Sequence, residues 1–498
     1  MIERNWKDVG AKPLAVARLT PRSLPARFAL PAFLLVSAFF LYADAAFVPV
    51  RLWDESRNMV NALEMRAAGW SLVTTYGFLP DLWNSKPPLL IWLMTASMAL
   101  FGPTPWALRL PTMVAALAVL LLTALFGRRY SGSTAVGIGA AAMLLLSPCF
   151  YGTHGARTAD YDMLLVLFTT AYTALLFPAV SGRLTRRTAV TAGLLVSGAV
   201  LTKSTAGLLP GAGLLLYLVL TRRARRVLSE PRFWLVAAAA VGPVLIFYLA
   251  REAAGPGYLQ AVLHNEASGR FGQTLIGRYE PWYFYLRDMS RGWFFAAPLA
   301  LLAPFGWSEV RGKSRALMIY CLCVGCGLLL VISMASTKLP HYALPAYPPL
   351  SIASALWLRG AWQRCHLLTG TPAQRGLLAA VAAMLLVLPA ARAIYWRVVS
   401  QIATDEAPAS RYGALFERLV AQGYRQVSVL DGGVQLRAQP TYLPVVRAYQ
   451  LLWAERGLTV VRGHRGSLLA SCDPRVVPRL LERGMDVGGV PGCAAVER

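Results

Sequence analysis

Charge is what this sequence has least of. Asp, Glu, Lys and Arg make up 15 % of its 498 residues, and 24 residues are acidic. Soluble domains carry roughly a quarter charged residues. A chain this poor in charge and 56 % hydrophobic falls outside that class, and many of its segments must lie in lipid. Internal repeats are missing too, and with them the usual sign of a transporter built from related halves. There is no low-complexity tract and no nucleic-acid motif, so the net charge of +25 does not mark a nucleic-acid binder. Cysteines number seven. Cys321, Cys323 and Cys326 share one apolar run without a nearby His or acid, which favours packing over metal. Cys472 and Cys493 can form a disulfide if their compartment is oxidising. His366 and His464 read as structural.

What is present is a set of apolar runs with basic clusters at their ends. The segment 1–27 is basic and polar and is expected in the cytoplasm. Phe28–Val50 is longer than a signal-peptide core and reads as an uncleaved span. Further runs lie at about 106–127, 134–150, 161–180, 188–202, 206–221, 233–250, 292–310, 316–335, 341–358 and 376–396, the length criterion giving roughly eleven spans. Residues 87–101 are apolar but bounded by Pro87-Pro88 and Gly102-Pro103, and are expected along the outer leaflet. With that placement the clusters Arg128-Arg129, Arg222-Arg223 and Arg311 to Arg315 fall on the N-terminal side, as the positive-inside rule requires. Acids, histidines and isolated lysines gather on the opposite face. After Trp396 the composition becomes mixed. Helices at Arg411–Gln422, Leu443–Glu455 and Val476–Arg483, with strands at Gln426–Leu430 and Leu458–Val461, predict a small α/β domain on the outer face.

Within residues 51–92, Arg51, Asp54, Glu55, Arg57, Asp81 and Lys86 stand among Trp53, Trp70, Tyr76, Trp83 and Trp92. A connecting loop requires neither the paired acids nor a Lys-Pro-Pro that re-enters an apolar helix. A second polar segment runs from Gly155 to Asp162, where one acid suffices to cap a helix and two are present. Lys203 separates two apolar runs, where it could simply snorkel. Ser333–Pro349 surrounds Lys338 and His341 with prolines and aromatics. The 251–288 stretch adds His264, Arg270 and Trp282. Paired basic and aromatic groups at this depth suit a phosphate held at a headgroup while an isoprenoid tail lies in lipid.

These motifs, in order, resemble one family. Trp53-Asp54-Glu55 with Arg57, Lys86-Pro87-Pro88-Leu89, Phe101-Gly102 with Arg109-Leu110-Pro111, Arg157 to Asp162, Leu201-Thr202-Lys203, His264-Asn265 to Arg270-Phe271, and Lys338-Leu339-Pro340-His341-Tyr342 with Pro348-Pro349 look like the membrane glycosyltransferases of GT-C architecture. The branch in question contains the protein O-mannosyltransferases and the lipid A aminoarabinose transferases. The likeness runs over about residues 50–355. It implies an all-α polytopic membrane protein of about 11–13 transmembrane helices, to which the mixed C-terminal pattern adds a small α/β extramembrane domain. The transferase domain would span 28–396, with a first outer catalytic loop at 51–105 and an outer loop at 251–291, followed by a periplasmic domain at 397–498.

In that family an Asp of the first outer loop is the principal catalytic residue and the donor is a polyprenyl-phosphate sugar. Carried over, Asp54 takes that role, with Asp162 and Glu55 as further catalytic acids. Arg57, Lys86, Arg157, Lys203, His264, Arg270, Lys338, His341 and Tyr342 are the implied donor and acceptor phosphate contacts. Asn58 stands where that branch usually has Tyr, and Ser204 follows Lys203 in place of the common Gly. The implied partners are a polyprenyl-phosphate-linked sugar, a lipid A-like or protein acceptor, and membrane lipids. The implied location is the bacterial inner membrane, with the site facing the periplasm. A divalent metal is compatible with the chemistry, but no ligand set rises above background. A lipid-linked sugar flippase and a surface-polysaccharide ligase are the competing readings. The flippase fits less well, because transporters place their charges near the midplane, whereas here they gather at one face.

Overall fold

The structure is a computed structural model describing residues 26–45, 49–50, 53–180, 184–268, 279–294, 296, 300, 302, 310–405, 411–430, 444–462 and 468–497. It is mostly helical. Helix α1 (Ala26–Tyr42) leads to α2 (Trp53–Ala68), a short antiparallel hairpin of β1 (Thr75–Tyr76) and β2 (Leu79–Pro80), and α3 (Leu89–Phe101). There follow α4 (Pro105–Ser131), α5 (Thr134–Leu145), α6 (Pro148–Tyr151), α7 (Tyr161–Val180), α8 (Arg186–Lys203), α9 (Pro210–Leu220), α10 (Ala224–Leu228) and α11 (Pro231–Ala254). The local chemistry explains many of these boundaries. Thr104, Ser133 and Thr185 each accept a hydrogen bond from the first turn of α4, α5 and α8, the favoured N-cap arrangement. Pro105 and Pro231 open α4 and α11, where a missing N–H costs nothing.

Beyond α12 (Tyr258–Val262) and α13 (Phe284–Asp288) come α14 (Gly312–Met334), a 3-10 turn at Pro340–Ala346, α15 (Tyr347–Leu368) and α16 (Pro372–Asp405). Among the described residues, α4, α7, α8 with its 3-10 extension, α11 and α14 are long and apolar enough to cross a membrane, and α3, α5, α9 and residues 28–42 are shorter apolar helices. The chain is a multi-pass membrane protein. The expected run at 292–310 lies largely outside the described residues. Helix α11 shows the lipid-facing side most plainly: Trp234, Val241, Leu245, Ile246 and Leu249 are exposed along it, an apolar surface that only hydrocarbon would cover without cost. Inside, α8 packs on α7 and α11, α4 on α5 and α7, and α14 on α9 and α15. The α9–α14 crossing is close because a Cβ on Gly327 would lie 2.4 Å from the Gly213 Cα, the small-residue packing expected between membrane helices. Of the three cysteines expected to pack in this run, Cys321 and Cys323 are buried and Cys326 is exposed.

The segment expected as a first outer loop is largely helical: α2, the hairpin and α3 occupy most of it. Its Asp-Glu pair therefore sits on a helix, which decides the fate of each acid below. The C-terminal part forms a four-stranded sheet in the order β4-β3-β5-β6, from β3 (Gln426–Val429), β4 (Thr459–Arg462), β5 (Leu468–Ser471) and β6 (Ala494–Glu497). Strand β3 runs parallel to β4 and β5, whereas β5 and β6 are antiparallel. Helix α17 (Tyr412–Ala421) precedes β3, α18 (Pro444–Ala454) supplies the crossover between β3 and β4 that a parallel pair needs, and α19 (Val477–Leu481) lies between β5 and β6. The expected strands at 426–430 and 458–461 are present; β5 and β6 were not expected. Cys472 and Cys493 are disulfide-bonded. This unit rests on α2. Buried Glu64 accepts from Arg447 at 3.0 Å and from Thr75, Gly77 and Phe78 of the hairpin. The Val50 amide donates to the Tyr449 hydroxyl at 2.9 Å.

Candidate active site

The site forms where α2 and α7 begin. Asp54 lies in the first turn of α2 and Asp162 in the first turn of α7, where the helix dipole favours negative charge. The turn between α6 and α7 brings a third group to them. Gly155 admits no side chain there, because a Cβ would lie 2.3 Å from the Phe150 carbonyl oxygen. His154 adopts φ 61°, a left-handed conformation uncommon outside glycine and a mark of strain retained for a purpose.

That strained turn aims the imidazole at the acids. Nδ1 of His154 pairs with Oδ2 of Asp160, and Nε2 lies 3.8 Å from Oδ2 of Asp54. Asp160 also accepts from the Tyr161 amide at 2.6 Å. Burial works against a charge on His154, but the Asp160 hydrogen bond and the carboxylates of Asp160, Asp162 and Asp54 raise its pKa above the ordinary value. Burial likewise penalises the Asp160 carboxylate, yet His154, with Lys203 and His341, holds it well below the usual range. Asp54 differs from both, with a side chain 53 % exposed.

Behind this group, Nζ of Lys203 donates to Oδ1 of Asp162 at 2.6 Å. Lys203 does not snorkel: it is buried, 5.3 Å from the Tyr342 ring centroid. Next to Tyr342, His341 stacks on His154 with centroids 4.0 Å apart. The 3-10 turn at 340–346 thus closes the cluster. One donor atom each from His154, Asp162 and His341 lies within 4.8 Å of the others. Lys86 approaches from another side, Nζ 5.2 Å from the Tyr161 ring centroid. Two residues before it, the Asn84 side chain donates to Tyr161 and Asn61 at 2.9 Å each.

Other expected site residues serve the framework. Glu55, expected as a catalytic acid, is buried: both oxygens accept from Arg109, at 2.7 and 3.0 Å, and Oε1 also accepts from the Ala159 amide at 3.0 Å. Arg57, expected as a phosphate contact, lies in the same framework. It clamps Asp81 through two hydrogen bonds of 3.1 and 2.6 Å and lies over Tyr76, whose phenol burial pushes up to about 12. Arg157 donates to Asp44 at 2.7 Å. Lys338 donates to the backbone oxygens of Glu280 and Ala335 at 3.1 and 2.6 Å. His264 lies exposed in a π-helical turn at Leu263–Ser268, and Arg270 lies outside the described residues. Asn58, the departure from Tyr, donates to the Ala159 carbonyl at 3.1 Å and so ties α2 to the same turn. Sequence reasoning missed His154. Its one signal is position, between Gly152 and Gly155 just ahead of a segment already singled out.

Known proteins resemble this chain in sequence and in fold. Residues 85–248 match the family model described as dolichyl-phosphate-mannose-protein mannosyltransferase. An undecaprenyl phosphate-alpha-4-amino-4-deoxy-L-arabinose arabinosyl transferase of Pseudomonas fluorescens is 27 % identical over 338 residues, covering 66 % of this chain and 55 % of the relative. Its counterpart in Erwinia tasmaniensis is 27 % identical over 337 residues, covering 65 % and 58 %. The chain thus spans somewhat over half the length of these relatives. Among solved structures, ArnT from Cupriavidus metallidurans bound to undecaprenyl phosphate superposes with a TM-score of 0.64 at 18 % identity, covering 94 % of this chain and 97 % of that one. The fold is shared.

Proposed function

We propose that this chain is a membrane glycosyltransferase of GT-C type that transfers a sugar from a polyprenyl-phosphate donor to a lipid A-like or protein acceptor at the outer face of the bacterial inner membrane. One observation carries the reading. Asp54 is water-accessible yet held 3.8 Å from His154, in a cluster whose other acids are buried. Such a carboxylate remains open to an incoming acceptor while its surroundings stay fixed. The bond between the sugar anomeric carbon and the donor phosphate breaks, its electron pair passing to the phosphate oxygen. The acceptor oxygen bonds to that carbon. A hydroxyl acceptor gives its proton to Asp54 as general base, whereas a phosphate acceptor needs Asp54 only for orientation. Lys86, over the ring of Tyr161 between Asp160 and Asp162 in sequence, is the cation assigned to offset charge on the departing phosphate.

Two further features support sidedness and membrane depth. The Cys472–Cys493 disulfide suits an oxidising compartment, which favours a periplasmic C-terminal unit. Trp70, Phe78 and Leu79, exposed on the connection between α2 and α3, suit a headgroup region at the same face. The test is mass spectrometry of lipid A, glycolipid and glycoprotein fractions from a deletion strain and its parent. A sugar mass lost from one fraction identifies both sugar and acceptor. Identical fractions contradict the proposal.

A further inference from the structure

The C-terminal unit meets the membrane part on α2, the helix that carries Asp54. Helix α18 packs on α2 and grips the chain at two points. Arg447 holds Glu64 near the end of α2, and Tyr449, further along the same helix, takes the amide of Val50 just ahead of its start. Val50 is buried, and Arg109 donates to the neighbouring Pro49 carbonyl at 3.1 Å. The same guanidinium binds both oxygens of Glu55. The approach to Asp54 is thus held at 49–50 from two sides, by α4 and by α18, and again at Glu55. The Tyr449 hydroxyl is aimed by its own unit. Phe416 meets its ring edge-on with centroids 6.4 Å apart, and Gly413 leaves room for it, since a Cβ there would lie 3.0 Å from the ring. Both belong to α17, whose Tyr412 accepts from the Cys472 amide at 3.2 Å. Burial pushes the Tyr449 phenol up to about 12, so the hydroxyl stays neutral. Packing alone would dock two units. A buried hydrogen bond to one backbone amide also fixes where that amide sits, because leaving it unpaired is costly.

We propose that Tyr449 is a positioning residue for Asp54: through its hydroxyl the C-terminal unit fixes the chain entering α2 and so completes the catalytic geometry. Tyr449 touches no reacting atom in this account and acts only through the backbone ahead of Asp54. A catalytic group displaced by about 1 Å loses roughly a hundredfold in rate, so one hydrogen bond at this point has leverage over turnover. Its kinetic consequence rests on the sugar-transfer reading, whereas the hold on the Val50 backbone stands on the geometry alone.

The test uses the full-length chain purified in detergent. Tyr449→Phe deletes the hydroxyl and keeps the ring between Gly413 and Phe416. Leu480→Ala is the control: Leu480 is buried with Leu469, Ala494 and Val496 in a cluster apart from the Tyr449 ring, so its loss weakens the same unit without touching the hydrogen bond. Hydrogen exchange read by mass spectrometry, which needs no substrate, should be faster over 49–62 in Tyr449→Phe than in wild type or Leu480→Ala. Transfer is measured from the undecaprenyl-phosphate sugar pool of the parent strain into total lipid or a glycoprotein extract. There Tyr449→Phe should lower kcat by about tenfold to a hundredfold with donor KM unchanged, whereas Leu480→Ala should keep kcat per folded molecule. Combined with Asp54→Asn, Tyr449→Phe should bring no further loss, because the carboxylate it positions is gone. Wild-type exchange over 49–62 in Tyr449→Phe overturns the hold on the backbone. Unchanged kcat, a loss matched by Leu480→Ala, or a full additional loss on top of Asp54→Asn overturns the positioning role. Faster exchange in Tyr449→Phe, with no sugar transfer by the wild type, contradicts the glycosyltransferase reading and leaves the backbone hold standing.

Discussion

Nζ of Lys203 lies 2.6 Å from Oδ1 of Asp162, with 7 % and 2 % of the two side chains exposed. The pair locks α8 to α7 beside the cluster. Removing one partner of a buried ion pair costs about 3–5 kcal/mol, because the other charge stays buried and uncompensated. Lys203→Met and Asp162→Asn should therefore both lower the unfolding midpoint in detergent. Differential scanning of purified protein checks this. A midpoint equal to wild type in both variants contradicts the buried pair.

Asp54 and Glu55 are adjacent in sequence and opposite in role. One helical step turns about 100°, enough to send Glu55 inward under Arg109 while Asp54 faces water. Glu55→Gln should lower stability markedly and leave turnover per folded molecule close to wild type. Thermal scans combined with active-fraction-corrected rates separate the two effects. A variant of normal stability and abolished turnover would return Glu55 to the catalytic set.

The Cys472–Cys493 bridge closes a loop with a sequence separation of 21, and such bridges contribute about 2–4 kcal/mol. Cys472→Ser should lower the midpoint of the C-terminal unit. Alkylation of denatured, unreduced protein should label Cys149, Cys321, Cys323, Cys326 and Cys365 and spare Cys472 and Cys493. Labelling of the latter two in protein from intact membranes contradicts an oxidising location.

Much of this was legible in the sequence for identifiable reasons. Asp54, Asp162, Lys203 and His341 each stand at the edge of an apolar run, where a charge or imidazole needs a reason to be present. The structure brings Asp162, Lys203 and His341 together and sets Asp54 beside them through His154. The apolar runs at 106–127, 134–150 and 188–202 placed the starts of α4, α5 and α8 within two residues. Glu55 and Arg57 looked alike in sequence but became framework, because their partners Arg109 and Asp81 lie 54 and 24 positions away. His154 carried no spacing signal: it meets His341 only through the fold. Strands β5 and β6, Leu-Leu-Ala-Ser and Ala-Ala-Val-Glu, are too short and too poor in β-branched residues to show a strand pattern.

The most direct measurement is transfer from a purified polyprenyl-phosphate sugar into total lipid or a glycoprotein extract, with protein levels matched. Asp54→Asn is nearly isosteric and water-exposed, so expression and melting should stay near wild type while turnover falls by about 10²–10⁴. Lys86→Ala should chiefly raise the donor KM. Near-normal turnover by Asp54→Asn, at wild-type stability, would contradict a catalytic centre at the start of α2.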